Sequence, residues 1–258
     1  MKFRFLGTAA CDYSPLLQTI YKDCLDKDAR RSSAALVDGH MLIDCGHHTL
    51  ESLHIQGINY ADIDILLLTH LHNDHYIPEH IRMIASASQR TLVIYASESA
   101  VSKLKKELAG SNVEIHGVPC CQRIAVCEDI TIMPLPANHT AHCVHYFIEA
   151  SGKKICYATD GAWIMYDAFY ALRDADLDLL VLDCTVGDYE GDYRVAEHNS
   201  IPMVRSMLQS FSKFHICNRG KIYITHIAPS LHKSHAETVE LLKDDEINVA
   251  YDGLEIEL

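Results

Sequence analysis

The stretch Asp64-Ile65-Leu66-Leu67-Leu68-Thr69-His70-Leu71-His72-Asn73-Asp74-His75 decides how the chain is read. Its first half is continuously apolar and predicts a strand buried on both faces. Its second half sets three imidazoles and one carboxylate where that strand leaves the sheet. In extended backbone His70 and His72 project to the same side, because side chains alternate with a period of two. A turn after Asn73 swings Asp74 and His75 to a second position close by. One pair can then grip one metal ion and the next pair another. Neutral imidazole and carboxylate suit zinc, with manganese or iron as alternatives. A His-rich surface loop would account for the composition, but not for so many ligand types at a strand end.

Working outward, the same pattern recurs. His139, Asp160, Asp183 and His226 each follow an apolar, strand-like run. A strand that spends its length on the core and ends in His or Asp presents that group at one rim of the sheet, where ligand sites gather. The expected assignment gives His70, His72 and His139 to a first divalent ion. It gives Asp74, His75 and His226 to a second, with Asp160 bridging. A water held between two cations loses a proton near neutral pH and becomes a nucleophile. That chemistry suits in-line attack on a phosphodiester, and equally attack on an ester, thioester or lactam carbonyl. Asp74 counts among the catalytic groups as well as the ligands. His198 is the candidate to protonate the leaving group, with Asp183 fixing its tautomer. Arg31, Ser32 and Ser33 are candidates to hold a substrate phosphate.

The rest of the chain mixes strands and helices throughout, which predicts one α/β domain over residues 1–258. Strands are expected at 2–6, at 34–37 and 40–44 around an Asp38-Gly39 turn, and at 91–95, 113–118, 124–127 and 130–135. Others are expected at 144–149 and 154–159 around Ser151-Gly152, and at 177–182, 221–225 and 249–257. Helices are expected before Gly57, at 78–88, from a Ser97 cap to Ala109, at 162–173, after Asn199-Ser200, and after the capping box Ser234-His235-Ala236-Glu237. Core packing is the default expectation for Trp163 and Tyr166, with an aromatic pocket wall as the alternative. Residues 11–33 and 185–197 read as loops that carry specificity. His47 and His48 are expected to face solvent, with a place in the pocket lining as the alternative, and His142 and His145 to be structural.

The chain has 258 residues and a formal charge of −13. That charge argues against a large non-specific grip on nucleic acid, and leaves a small anionic substrate as the expected partner. No apolar run reaches membrane-spanning length, and the N-terminus has no signal-peptide pattern. Ten cysteines without a CxxC pair predict free thiols in a reducing cytoplasm. A homodimer is compatible with the sequence.

His70-x-His72-x-Asp74-His75, with His139, Asp160 and His226 downstream, resembles the metallo-β-lactamase superfamily from Phe5-Leu6-Gly7-Thr8 to Tyr251-Asp252-Gly253. The resemblance implies a four-layer αββα sandwich with a dinuclear metal site. Leu182-Asp183-Cys184-Thr185 followed by His198-Asn199-Ser200 is similar to ribonuclease Z. It is more similar to the cyclic phosphodiesterase of the carbon–phosphorus lyase pathway, as are Leu135-Pro136-Ala137-Asn138-His139 and Ile224-Thr225-His226-Ile227. That phosphodiesterase carries an extra zinc on a cysteine cluster and a late His. Here only Cys11 and Cys24 stand in the loop, and Pro229 holds the His position, which leaves a further metal open. The long arm by which ribonuclease Z grips tRNA has no counterpart in residues 95–120. The resemblance implies a phosphodiesterase. A thioester or lactone hydrolase of the glyoxalase II kind is the first alternative, although its Pro-Gly-His-Thr segment is replaced by Ala137-Asn138-His139-Thr140. A non-catalytic metal-binding or partner-binding protein on the same fold is the second.

Overall fold

The structure, a computed structural model, describes residues 1–14 and 23–258. The part of the expected 11–33 loop that falls on residues 15–22 lies outside the described residues. The chain groups into two compact units, Met1–Pro119 with Tyr251–Glu257, and Cys120–Ala250 with Leu258.

The first unit is a seven-stranded mixed sheet. Strands β1 (Lys2–Gly7), β2 (Ala34–Val37) and β3 (Met41–Ile43) run antiparallel, and β14 (Glu255–Glu257) pairs antiparallel with β1. The β2–β3 turn puts Asp38 and Gly39 at φ 48° and 77°, the left-handed pair that a tight hairpin requires. Strands β4 (Ile65–Leu67), β5 (Leu92–Ser97) and β6 (Val113–Val118) then continue in parallel from β3. Parallel neighbours need crossovers, and these are helices α1 (Thr49–Ile55), α2 (Pro78–Ala87) and α3 (Val101–Glu107). Leu42, Leu66, Ile94, Leu53, Ile81, Ile84 and Leu104 pack together in the core that joins them to the sheet.

The second unit repeats the plan. Strands β7 (Ile124–Cys127), β8 (Ile130–Pro136), β9 (Val144–Ala150) and β10 (Lys153–Ala158) form an antiparallel half. Strands β11 (Leu179–Asp183), β12 (Ile222–Thr225) and β13 (Asn248–Val249) form a parallel half. Helices α4 (Tyr166–Leu172), α5 (Ile201–Lys213) and α6 (His235–Leu242) make the crossovers. Leu180, Leu182, Ile224, Leu172, Val204, Phe211 and Leu242 share its core. Two mixed sheets, each flanked by helices, make this an α/β protein, as the sequence pattern implied. No helix among the described residues is long and apolar enough to cross a membrane.

Three element predictions need correction. The segment 249–257 is not one strand. It divides between β13 of the second unit and β14 of the first, because Asp252 is buried between them, accepting from Thr8 Oγ1 at 2.8 Å and from the Arg31 N–H at 2.7 Å. Ser97 caps no helix. It ends β5, its hydroxyl meets that of Ser99 at 3.2 Å, and a single 3-10 turn precedes α3. The helix expected from Ala162 starts four residues later, because Trp163 takes a left-handed φ of 60°.

Candidate metal centre

In the first unit the site residues emerge from the C-terminal end of β4. His70 is buried, its ring centroid 4.5 Å from that of His72 and 4.4 Å from that of His75. Asp74 Oδ2 lies 3.3 Å from His75 Nε2. Behind them stands Asp44, fully buried at the end of β3. It accepts from the Thr69 N–H at 2.8 Å, from Thr69 Oγ1 at 2.8 Å and from His75 Nδ1 at 2.7 Å. Thr69 Oγ1 in turn sits 3.1 Å from His70 Nδ1. The consistent tautomer has both rings donating through Nδ1–H, so both carry their lone pair on Nε2. Burial raises the Asp44 pKa, against the opposing pull of His75.

The second unit builds a similar arrangement. Asp183, the last residue of β11 and fully buried, lies 3.0 Å from His198 Nδ1 and 2.9 Å from Thr185 Oγ1. Thr185 Oγ1 sits 2.7 Å from His226 Nδ1. His226 Nε2 then lies 3.2 Å from Asp160 Oδ2, and His198 Nδ1 lies 3.5 Å from Asp160 Oδ1. One ligand atom from each of Asp160, Asp183, His198 and His226 falls within 4.8 Å of the others. His139 follows β8, with its ring 4.8 Å from His198 and its Nε2 3.9 Å from Asp160 Oδ1. Burial opposes charge on Asp183, but the imidazoles of His198 and His226 outweigh it and hold the carboxyl below the usual range. Burial likewise opposes charge on His198, and the Asp183 carboxylate beside it raises its pKa.

Asp44, Asp160 and His226 have φ of 63°, 51° and 55°, a region that side chains other than glycine seldom adopt and that clusters at functional sites. Gly161 leaves no room for a side chain, since a Cβ would come within 2.6 Å of His145 Nε2. His145 is buried, and that burial lowers its pKa to about 4, so it is a neutral structural ring.

The donor set fits divalent metal ions. Imidazoles and carboxylates are the ligand types such ions take, and burying carboxylates so close together is unfavourable unless positive charge is shared. His70, His75 and His226 also have Nδ1 held by a hydroxyl or carboxylate, the outer support usual for metal-bound histidine.

Other expected residues have different work. Arg31 is fully buried, its Nε donating to Glu51 at 2.9 Å and its Nη2 to the Cys24 carbonyl at 3.2 Å. Ser33 Oγ donates to the Ala9 carbonyl at 3.0 Å. Both are committed to the interior of the first unit, which argues against the expected role in holding phosphate. Ser32 Oγ accepts from the His48 N–H at 3.0 Å. Half-buried His48 does not face solvent as expected, and burial lowers its pKa to about 4. Cys11 and Cys24 are exposed. Sequence reasoning missed Asp44, Thr69, Thr185, Asn199 and Glu197. Asp44 was within its reach, since it too is an Asp at the end of an apolar strand. Glu197 brings a carboxylate within 4.8 Å of His139 and His198 ligand atoms.

Residues 40–244 match the family model described as a β-lactamase superfamily domain. A ribonuclease Z of Methanococcus maripaludis is 26% identical over 161 residues, which is 57% of this chain and 47% of that protein. A ribonuclease Z of Clostridium acetobutylicum is 21% identical over 136 residues, 44% of this chain and 41% of that protein. The chain thus spans less than half the length of these curated relatives. Among solved structures, a diphosphatase from the PhnP family superposes with a TM-score of 0.75 at 24% identity, covering 100% of this chain and 97% of that one. That superposition shows a shared fold. Since the family match takes in four-fifths of the chain and every expected ligand from His70 to His226, the chain belongs to the β-lactamase superfamily.

Proposed function

We propose that the chain is a two-metal phosphodiesterase acting on a small or cyclic phosphodiester. The observation that carries this reading is the pair of buried Asp183 and half-buried His198, 3.0 Å apart, beside Asp160 and His226. Hydrolysis of a diester needs an acid for the departing oxygen. His198, with Nδ1–H given to Asp183, delivers its proton from Nε2. The likeness to ribonuclease Z and to a PhnP-family diphosphatase supports a phosphorus ester over a carbonyl one.

His70, His72, Asp74, His75, His139, Asp160 and His226 would supply the ligands for the two ions. When bound, such ions supply positive charge against the phosphoryl oxygens and acidify water; zinc is our choice, with manganese or iron as alternatives. The chain's own contribution is orientation. Asp44 and Thr69 fix His75 and His70, and Thr185 fixes His226. The net charge of −13 favours a small ester over a polynucleotide.

The test is metal analysis of the purified protein together with hydrolysis of bis(p-nitrophenyl) phosphate. About two metals per chain, with turnover lost in both Asp160→Ala and His198→Ala, is the expected result. Loss in Asp160→Ala alone removes His198 from the mechanism. Full metal content with turnover of thioesters or lactones only would replace this reading by a carbonyl hydrolase.

A further inference from the structure

Among the described residues, the exposed large aromatic side chains lie in the segments flanking the second unit's site residues. Of nine large hydrophobic side chains exposed among the described residues, Trp163, Met165, Tyr166 and Tyr170 follow Asp160, while Tyr189 and Tyr193 precede His198. Core packing, the expectation for Trp163 and Tyr166, is contradicted. Helix α4 buries Ala168 and Leu172 instead and leaves Tyr166 77% exposed, and Trp163, three residues before it, is 44% exposed.

Trp163 is also held in a conformation that its size opposes. Its φ of 60° is a genuine outlier for a bulky side chain, and such strain persists only where the surroundings enforce it. The enforcing residue is Asn199, the neighbour of His198. Its Oδ1 accepts from the Trp163 N–H at 2.7 Å, its Nδ2 donates to the Gly161 carbonyl at 2.9 Å, and its own N–H donates to Asp183 at 2.8 Å. The backbone that presents Trp163 is therefore tied, through one residue, to the carboxylate that orients His198. A strained and anchored backbone that keeps a large ring in water is the opposite of what core packing requires.

We propose that Trp163 is a stacking surface for a flat ring on the substrate, so that the preferred ester is a phosphodiester carrying a nucleobase. This rests on the phosphodiesterase reading and narrows it. Every base presents a π-face, and stacking on an aromatic side chain needs no hydrogen-bond readout. Tyr166 and Tyr170, stacked at 6.4 Å and 24° on the next helix, extend the aromatic surface. The net charge of −13 opposes a grip on a polyanionic backbone, which favours an ester of mononucleotide size or a cyclic one.

The chain has one tryptophan, so its intrinsic fluorescence reports on Trp163 alone. The experiment titrates the zinc-supplemented full chain with adenosine 5′-monophosphate and with ribose 5-phosphate, by calorimetry and by fluorescence. Adenosine monophosphate is expected to bind about tenfold more tightly and to change Trp163 emission along the same isotherm. Trp163→Ala should bring the ratio of the two affinities near one, and Trp163→Phe should keep most of it. Equal affinities in the wild type, or nucleotide binding without an emission change, overturn the proposal. If bis(p-nitrophenyl) phosphate is still hydrolysed in that case, the phosphodiesterase reading survives alone. If it is not, and neither monoester binds, both fall. An emission shift with protein concentration and no ligand would assign the surface to a second copy, and also overturn it.

Discussion

Two hydroxyls set the direction of two histidines. In each unit a carboxylate at a strand end accepts from a threonine hydroxyl, and that hydroxyl receives a histidine Nδ1–H. The sets are Asp44, Thr69 and His70, and Asp183, Thr185 and His226. A threonine here does what serine could do and valine could not. Thr185→Val should weaken zinc binding or turnover by about 10–100-fold, the usual effect of removing an outer partner from a metal-bound histidine. Thr185→Ser should restore most of it. Competition with a chelator and kcat on bis(p-nitrophenyl) phosphate measure both, and an unchanged Thr185→Val would sink the account. Gly46 makes a second prediction at this scale. Its Cβ position lies 1.7 Å from the Asp74 carbonyl oxygen, because Cys45 is strapped to His75 and Ile77 by backbone hydrogen bonds of 2.7 and 2.8 Å. Gly46→Ala must push Asp74 and His75 away, lowering metal content and destabilising by roughly 1–3 kcal/mol, read by metal analysis and urea unfolding. Ligands were legible in the sequence because each ends an apolar run. Thr69 and Thr185 were not, since a hydroxyl's partner depends on which ring nitrogen turns toward it.

At the scale of elements, strands read more truly than helix starts. A strand such as Leu179–Asp183 is set by continuous apolar character and its end by a polar residue. A helix start depends on one residue's φ and side-chain geometry. Ser234 had the full signature, with Glu237 three residues on, and both arms of the box form. Ser97 had the residue type and the extended backbone, but its hydroxyl meets Ser99 Oγ rather than a helix N–H, and Ala162–Met165 had the periodicity but not a helical Trp163. The capping box has a measurable consequence away from the site. Ser234→Ala should lower stability by about 1 kcal/mol, seen as a shift in urea midpoint at constant m, with turnover unchanged. A shift within error would mean that packing of Thr238 and Leu242 holds α6 without its cap.

At the scale of the whole chain, Asp252 joins segments that sequence separates by more than two hundred residues. Its oxygens accept from Thr8 Oγ1 and the Arg31 N–H, with the buried Arg30 guanidinium close by on the same hydroxyl at 2.7 Å. No pattern in the sequence announces this, because a lone Asp before Gly253 has the look of a turn. Its environment gives it a distinctive titration. Burial raises its pKa from 3.8 to about 6, against the opposing pull of the Arg31 N–H, Thr8 and the two arginines. The folded chain therefore holds the proton more tightly than the unfolded chain does. The stabilising contribution is complete below about pH 4, fades as pH rises toward about 6, and is gone above that, a span of about 3 kcal/mol at 1.36 kcal/mol per unit. Asp252→Asn keeps the shape but loses the titration, and loses one acceptor, so it is less stable in absolute terms. The informative quantity is the slope. Between pH 4 and 6 the stability of wild type minus that of Asp252→Asn should fall as pH rises, whatever the other carboxylates do in common to both. A difference that stays flat, or that rises, would mean that the arginines keep Asp252 ionised throughout, and that Asp252 and Arg31, whose Nη1 lies 3.8 Å from its Oδ2, form an ordinary buried ion pair.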